Sequence, residues 1–292
     1  MLLYDEPLWR PPSEGNSIIL QVTLGCSFNR CSFCSMYRTK RFSVRPLADV
    51  LSEIEVVAVA APHVRRVFLA DGDALGAETD HLLAVLEHLA THFPQLQRVS
   101  SYALPVNFLN KTDADLGRVR AAGLKLLYYG IESGSRDIQR RITKGATPEV
   151  MIEGIRRARA ADMKVSATVV LGLGGQRRSE DHIDGTIDLV NQVPLNFLST
   201  LQLGLDPSIR DEFHHKFREP FIPQDDRGLL LELRRLVAGI SPPRPVIFRS
   251  NHASNALPLG GTLPKDRDRI LAMIDAALGG EVPLVPPRFR AY

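Results

Sequence analysis

Short continuous apolar runs alternate along this chain with stretches in which apolar residues recur every three or four positions. The first pattern reads as strands buried on both faces, the second as amphipathic helices. Residues 1–16 are a Pro-rich, polar lead-in with Trp9 as its packing residue. The run 17–25 reads as the first strand. Pro46 then suits the first turn of a helix, and Leu47, Val50, Leu51, Ile54, Val57 and Ala58 share one helical face to about residue 60. The run 66–70 is the second strand, ending in Asp71-Gly72-Asp73. Leu82, Val85, Leu86 and Leu89 mark a second helix, and 98–104 is the third strand, stopped by Pro105. Thr112 caps a helix with Asp113 and Asp115 in its first turn, and Gly123 ends it. The fourth strand, 124–131, runs into Glu132-Ser133-Gly134-Ser135, and two helical pieces fill 136–162. The fifth strand, 164–171, ends in Gly172-Leu173-Gly174-Gly175. A helix over about 180–193 precedes the sixth strand, 197–205. Residues 206–226 read as irregular and charged, with His214 and His215 on a loop. Helices over 227–239 and 265–278 flank an apolar run that begins at Val246.

Six strands alternate with helices at roughly the 30-residue interval of a βαβ unit, which predicts a parallel sheet with helices outside it. Spacing alone also admits an open doubly wound sheet. In either arrangement a site gathers where the strands end, and the polar clusters at 71–73, 132–135 and 172–175 fall at such ends.

Composition narrows the function. At 292 residues the chain suits one large α/β domain or two ordinary ones. With 44% hydrophobic and 24% charged residues it is ordinary for a globular protein. A net charge of +3 is too small to argue for nucleic acid by itself. No run of eighteen apolar residues predicts a membrane span, and the N-terminus lacks the pattern of a secretory signal. A cytoplasmic protein is expected, because an odd number of cysteines on one short loop suits a reducing compartment.

That loop is the strongest signal in the chain. The only three cysteines, Cys26, Cys31 and Cys34, lie within nine positions at the end of the first apolar run. Three thiolates there can hold three corners of an iron–sulfur cube and leave one iron open, and an open metal position signals chemistry. From the residues alone, a zinc ion completed by a distant histidine, or three unrelated buried thiols, remain as alternatives.

Cys26-x4-Cys31-x2-Cys34, with Phe33 before the last cysteine, resembles the cluster loop of the radical S-adenosylmethionine (radical SAM) superfamily. The common family spacing is Cys-x3-Cys-x2-Cys, so the first gap holds one extra residue. The resemblance implies a partial (β/α)6 TIM-like barrel over 17–205, after the 1–16 lead-in, with a C-terminal extension over 206–292 covering its open side. It implies that Cys26, Cys31 and Cys34 hold a [4Fe-4S] cluster whose open iron binds S-adenosylmethionine, and that an electron from the cluster breaks the sulfonium bond to give a 5'-deoxyadenosyl radical. By the same resemblance Asp71, Gly72 and Asp73 stand where the family contacts the methionine amino group. Glu132 and Ser133 stand where it contacts the ribose, with Ser101 a further candidate. Gly172 and Gly174 stand at its adenine turn. The implied partners are a small-molecule or cofactor-precursor substrate and a reductant such as flavodoxin or ferredoxin.

Other features carry less. His88 and His92 sit four apart on a predicted helix and read as a solvated face rather than ligands. Arg249-Ser250-Asn251-His252 concentrates donors and acceptors near the end of the chain, either as a substrate contact or as a surface loop. Tyr128 and Tyr129 are the nearest tyrosines for returning a hydrogen atom. With no cysteine beyond the loop, no thiolates remain for a second all-cysteine cluster, which disfavours methylthiolation. Two basic clusters, Arg38, Lys40 and Arg41, and Arg156, Arg157 and Arg159, support a second hypothesis of tRNA modification. A third is a non-catalytic zinc or iron–sulfur protein.

Overall fold

The structure, a computed structural model, describes residues 4–291. The chain divides into two compact units. One contains the residues up to Asn29 together with 36–129 and 157–165, and the other contains 30–35, 130–156 and everything from Ser166 on.

In the first unit, β1 (Ile18–Gln21) is followed by a small hairpin-like pair, β2 (Thr23–Leu24) and β3 (Ser43–Val44), then α1 (Leu47–Ala60), β4 (Arg66–Ala70), α2 (Thr79–His92), β5 (Arg98–Ala103), α3 (Asn107–Asn110), α4 (Asp113–Ala121) and most of β6 (Leu124–Glu132). Here β1, β4, β5 and β6 pair side by side, all parallel, in chain order. Val67, Phe68, Leu69 and Ala70 of β4 are all fully buried, as a strand covered on both faces must be. The helices turn their apolar stripes inward. Val50, Ile54 and Val57 of α1 and Leu82, Val85, Leu86 and Leu89 of α2 are buried, each contributing about 1.5–3 kcal/mol. Thr112 does cap α4, and Asp115 returns the bond to the Thr112 backbone, a full capping box.

The second unit continues from the end of β6 through α5 (Arg136–Arg141), most of α6 (Pro148–Ala160), β7 (Lys164–Leu171), α7 (Ser179–Val190), β8 (Phe197–Gln202), α8 (Arg210–Phe217), α9 (Asp226–Gly239), β9 (Val246–Ser250), β10 (Leu259–Leu263) and α10 (Arg267–Leu278). β7, β8 and β9 are parallel neighbours, and β10 returns antiparallel beside β9. The fold is therefore α/β with mostly parallel strands and intervening helices, and all six expected strands are present.

Three details differ from the sequence reading. The first apolar run does not stay one strand: the chain leaves β1 after Gln21, and Thr23–Leu24 pairs instead with Ser43–Val44. His214 and His215 lie on a helix, α8, not a loop. That helix buries only Phe213 and Phe217 among charged neighbours, too sparse a stripe for periodicity to reveal. Two strands beyond the sixth, β9 and β10, extend the strand set. β10 contains Gly260 and Gly261 and so lacks a strand-like side-chain pattern.

The lead-in is anchored more firmly than its composition suggests. Glu14, at the end of a 3-10 turn, is fully buried. It accepts from the Tyr128 hydroxyl at 2.6 Å and from Arg98 at 2.7 Å, and Ser17 donates to it as well. A buried carboxylate needs such compensation. Among the described residues no helix is long and apolar enough to cross a membrane.

Candidate active site

Cys26 follows β2 in the first unit and is half-buried. The end of β4 lies against it. A Cβ added to Gly72 would stand 2.5 Å from the Tyr37 ring and 3.2 Å from the Cys26 Cβ, so only glycine fits between the cysteine loop and the strand end. Asp71 is completely buried. Its Oδ2 accepts from the Gly25 N–H at 3.1 Å and from the Lys40 ammonium at 2.8 Å. Gly72 N–H donates to the Gly25 carbonyl at 3.1 Å, stitching the loop to the strand. Asp73 accepts from Asn107 Nδ2 at 2.9 Å and from the Ser27 hydroxyl. Burial raises its pKa to about 6 even though those two hydrogen bonds favour the ionised form. Ser101, on β5, is buried, and its hydroxyl has no hydrogen-bond partner among the described residues.

Cys31 and Cys34 lie in the short segment counted with the second unit, where the Cys34 N–H donates to the Cys31 carbonyl at 3.2 Å. The Ser32 N–H donates to the Ile142 carbonyl at 2.9 Å, and Lys216 of α8 reaches the Arg30 carbonyl at 3.3 Å. Phe33 packs on a cluster formed by Ile138, Ile142, Val170, Phe213, Phe217 and Phe221. The last three rings stack and meet edge-on at 4.9–5.5 Å, a geometry that aromatic pairs prefer. Glu132 ends β6 with φ at +62°, a left-handed conformation that costs a non-glycine residue about 1–3 kcal/mol. Its Oε1 accepts from Lys144 at 2.9 Å, with the lysine side chain only 7% exposed. Burial pulls the Lys144 pKa down. Glu132, Cys31 and Cys34 together more than offset this and hold it above the ordinary lysine value.

Ser133 is buried. Its hydroxyl meets His182 Nδ1 at 2.8 Å and accepts from the Ser135 N–H at 3.1 Å, while Ser135 caps α5. The Gly172 N–H donates to Glu232 Oε2 at 2.6 Å, and burial raises the Glu232 pKa. A Cβ at Gly174 would stand 2.4 Å from the Arg178 carbonyl oxygen, so this glycine lets α7 start hard against the turn.

In the first unit the structure thus brings Asp71, Gly72 and Asp73 to Cys26 and its neighbours. In the second it brings Glu132 to Lys144, beside Cys31 and Cys34. In each unit taken by itself the cysteines supply soft thiol donors, the type that holds an iron–sulfur cluster. In the first unit the Ser101 hydroxyl is buried without a partner among the described residues, and Gly72 lets the strand end pack closely against Tyr37 and Cys26.

Other candidates find different roles. Tyr128 donates to Glu14, and Arg249 lies over the Phe197 ring at 5.3 Å. His252 Nδ1 meets the Ser254 hydroxyl at 2.8 Å. Of the basic clusters, Lys40 is spent on Asp71 and Asp5, Arg157 on Asp113, and Arg159 on the Met163 carbonyl. Sequence reasoning missed Asn107, Lys144, His182 and Glu232, and read Lys40 only as part of a basic cluster rather than as the partner of Asp71. Only His182 carried a signal, as a polar residue in register with Ile183, Thr186, Leu189 and Val190 on the buried face of α7.

Comparison with known proteins is consistent with this geometry. The chain is 29% identical over 195 residues to tRNA-2-methylthio-N(6)-dimethylallyladenosine synthase of Stutzerimonas stutzeri, a match covering 64% of this chain but 43% of that protein. The chain therefore spans less than half the length of that relative. Among solved structures, coproporphyrinogen III oxidase (HemN) from Escherichia coli, described as a radical SAM enzyme, superposes with a TM-score of 0.57 at 16% identity, over 76% of this chain and 51% of that one. The radical S-adenosylmethionine methyltransferase TsrM from Kitasatospora setae, solved with cobalamin and a [4Fe-4S] cluster bound, gives a TM-score of 0.52 at 18% identity, over 65% of this chain and 37% of that one. At such identities these two structures share the fold. The family model described as the radical SAM superfamily matches residues 20–190, more than half of the sequence, and the chain belongs to that superfamily.

Proposed function

We propose that the protein is a radical SAM enzyme in which Cys26, Cys31 and Cys34 hold a [4Fe-4S] cluster and the strand-end residues hold S-adenosylmethionine. The observation that carries this reading is the placement of a family-matched cysteine loop against paired buried charges, Asp71 with Lys40 in one unit and Glu132 with Lys144 in the other. When bound, the cluster and S-adenosylmethionine supply a one-electron cleavage of the sulfonium bond and a carbon radical that takes hydrogen from a substrate. The chain's own residues bind, orient and exclude water. Lys144 offsets the negative charge of the thiolates. Asp71 and Asp73 are the carboxylates that would accept from the methionine ammonium, and Gly72 lets their strand end pack close to Cys26. Glu132, one oxygen committed to Lys144, would offer the other to the ribose hydroxyls, and Ser133 and Ser101 are further candidates for that contact. Gly172 and Gly174 let adenine approach the backbone. Phe33, seated on the aromatic cluster, keeps water from the loop. The substrate is a small molecule or cofactor precursor, and the electron comes from a flavodoxin or ferredoxin.

Anaerobic reconstitution tests this. The protein should bind about four irons per chain, absorb near ~400 nm, and with dithionite release 5'-deoxyadenosine from S-adenosylmethionine. Cys34→Ala should lose all three properties, and equal release by both proteins would refute the proposal. A second reading, action on tRNA, is favoured by the similarity to the tRNA-2-methylthio-N(6)-dimethylallyladenosine synthases. Steeply salt-dependent binding of bulk tRNA would select it over the small-molecule reading.

A further inference from the structure

Glu55 on α1 and His88 and His92 on α2 form a group that the cysteine site does not use. All three belong to the first unit, and one ligand atom from each lies within 4.8 Å of the other two. His88 and His92 are one helical turn apart, so their rings stand over the same face of α2, with centroids 4.0 Å apart. His92 Nδ1 is 2.9 Å from the His88 carbonyl. A carbonyl only accepts, so Nδ1 carries the proton and Nε2 keeps its lone pair, the arrangement in which imidazole ligates a metal. His88 Nε2 is buried without a well-aligned hydrogen bond, yet it lies 3.2 Å from Glu55 Oε1. Two ring nitrogens and a carboxylate oxygen therefore converge from two helices.

We propose that Glu55, His88 and His92 bind a divalent transition-metal ion, zinc by preference, that ties α1 to α2. Imidazole nitrogen with carboxylate oxygen suits zinc better than the hard cations magnesium and calcium. Ligands about 2.1 Å from a tetrahedral zinc stand about 3.4 Å apart. The three atoms, all within 4.8 Å of one another, need only small side-chain rotations to reach that spacing, and the Glu55 side chain is 58% exposed. Water takes the fourth position. The alternative is an ordinary His–Glu contact on a helix surface, which binds no metal.

The test uses the anaerobically reconstituted protein, titrated with Zn2+ by calorimetry and then studied by zinc-edge X-ray absorption. One zinc per chain is expected, with only nitrogen and oxygen in its first shell and histidine ring scattering beyond. Zinc should raise the Tm of the wild type. Loss of an outer-shell partner alone weakens metal binding by about 10–100-fold, so His92→Gln and Glu55→Gln should each weaken it by at least about ten-fold, and His92→Gln should lose the rise in Tm. No saturable zinc, sulfur in the first shell, or unchanged affinity in both variants would overturn the assignment. If a variant fails to fold, the wild-type absorption spectrum still decides between histidine and thiolate ligation.

Discussion

His182 should make the protein acid-labile in a way that one substitution removes. The ring is fully buried on α7 and bridges two elements: its Nε2 faces the Val170 carbonyl at 3.0 Å, and its Nδ1 faces the Ser133 hydroxyl at 2.8 Å. The carbonyl requires a proton on Nε2, so Nδ1 accepts from Ser133, and the neutral ring satisfies both partners. A second proton would face the Ser133 hydroxyl in a dry interior. Burial accordingly lowers the His182 pKa from 6.5 to about 4. For a base depressed by folding, the stabilisation is complete above the unfolded value and is lost as pH falls toward the folded one. The drop corresponds to roughly 3 kcal/mol in full, of which about 2.5 kcal/mol disappears between pH 7.5 and pH 4.5. His182→Gln keeps a donor for Val170 but cannot protonate. It should cost about 1–3 kcal/mol at pH 7.5 and then lose about 2.5 kcal/mol less than wild type on acidification. Urea unfolding followed by far-UV circular dichroism at both pH values measures this. Carboxylates titrate in both proteins, so the difference between the two proteins isolates His182. Equal acid losses would refute the reasoning.

Three further outcomes follow from particular contacts. Asp73, raised to about 6 by burial, favours folding fully below the unfolded value of 3.8 and loses that advantage as pH rises through about 6. Asp73→Asn should therefore stabilise the protein by up to about 3 kcal/mol at pH 7.5 and abolish S-adenosylmethionine binding, as measured by unfolding and calorimetry; an unchanged stability would contradict the burial argument. Phe217→Ala should cost about 3–5 kcal/mol and lower iron incorporation, because Phe217 belongs to the cluster on which Phe33 rests; full iron content would separate α8 from the cysteine loop. Gly174→Ala forces a methyl group to within 2.4 Å of the Arg178 carbonyl oxygen and should cost about 1–3 kcal/mol, seen as a lower Tm, whereas Ala at exposed Gly117, which meets nothing within 4 Å, should not.

What could be read without coordinates depended on whether the signal was periodic or chemical. Helices α1 and α2 were legible because each repeats apolar residues along one face, and β4, β6 and β7 because each is a nearly unbroken apolar run. α4 announced itself through Thr112 and Asp115. The cysteine loop needed no periodicity, since three thiols in nine positions have a chemistry of their own. α8 was illegible because two phenylalanines among charges do not make a stripe, and β10 because Gly260 and Gly261 remove the side chains that would mark it. Lys144 and Glu232 were invisible for a different reason. Nothing in a single sequence separates a lysine that pairs with a buried glutamate from one that faces water. Their importance is a tertiary fact, set by Glu132 in one case and by the Gly172 N–H in the other.

Those buried charges also argue about purpose. A desolvated ion pair is a poor route to stability, because removing two charges from water costs as much as their attraction returns, and apolar residues of the same size do as well. Lys40–Asp71 is 5% and 0% exposed, and Lys144–Glu132 is 7% and 12% exposed. Both pairs stand at the ends of parallel strands, β4 and β6, and Glu132 adopts a strained left-handed backbone besides. A fold selected only for stability would fill such positions with apolar residues, as it does one residue earlier at Ala70 and Ile131. In each unit, costly groups at a strand end beside a cysteine support the proposed binding of a ligand that carries charge. The same reasoning separates Lys144 from the surface arginines. Arg234 and Arg235 pair with carboxylates in water, where a bridge is worth about 0–1 kcal/mol, and they imply nothing about function.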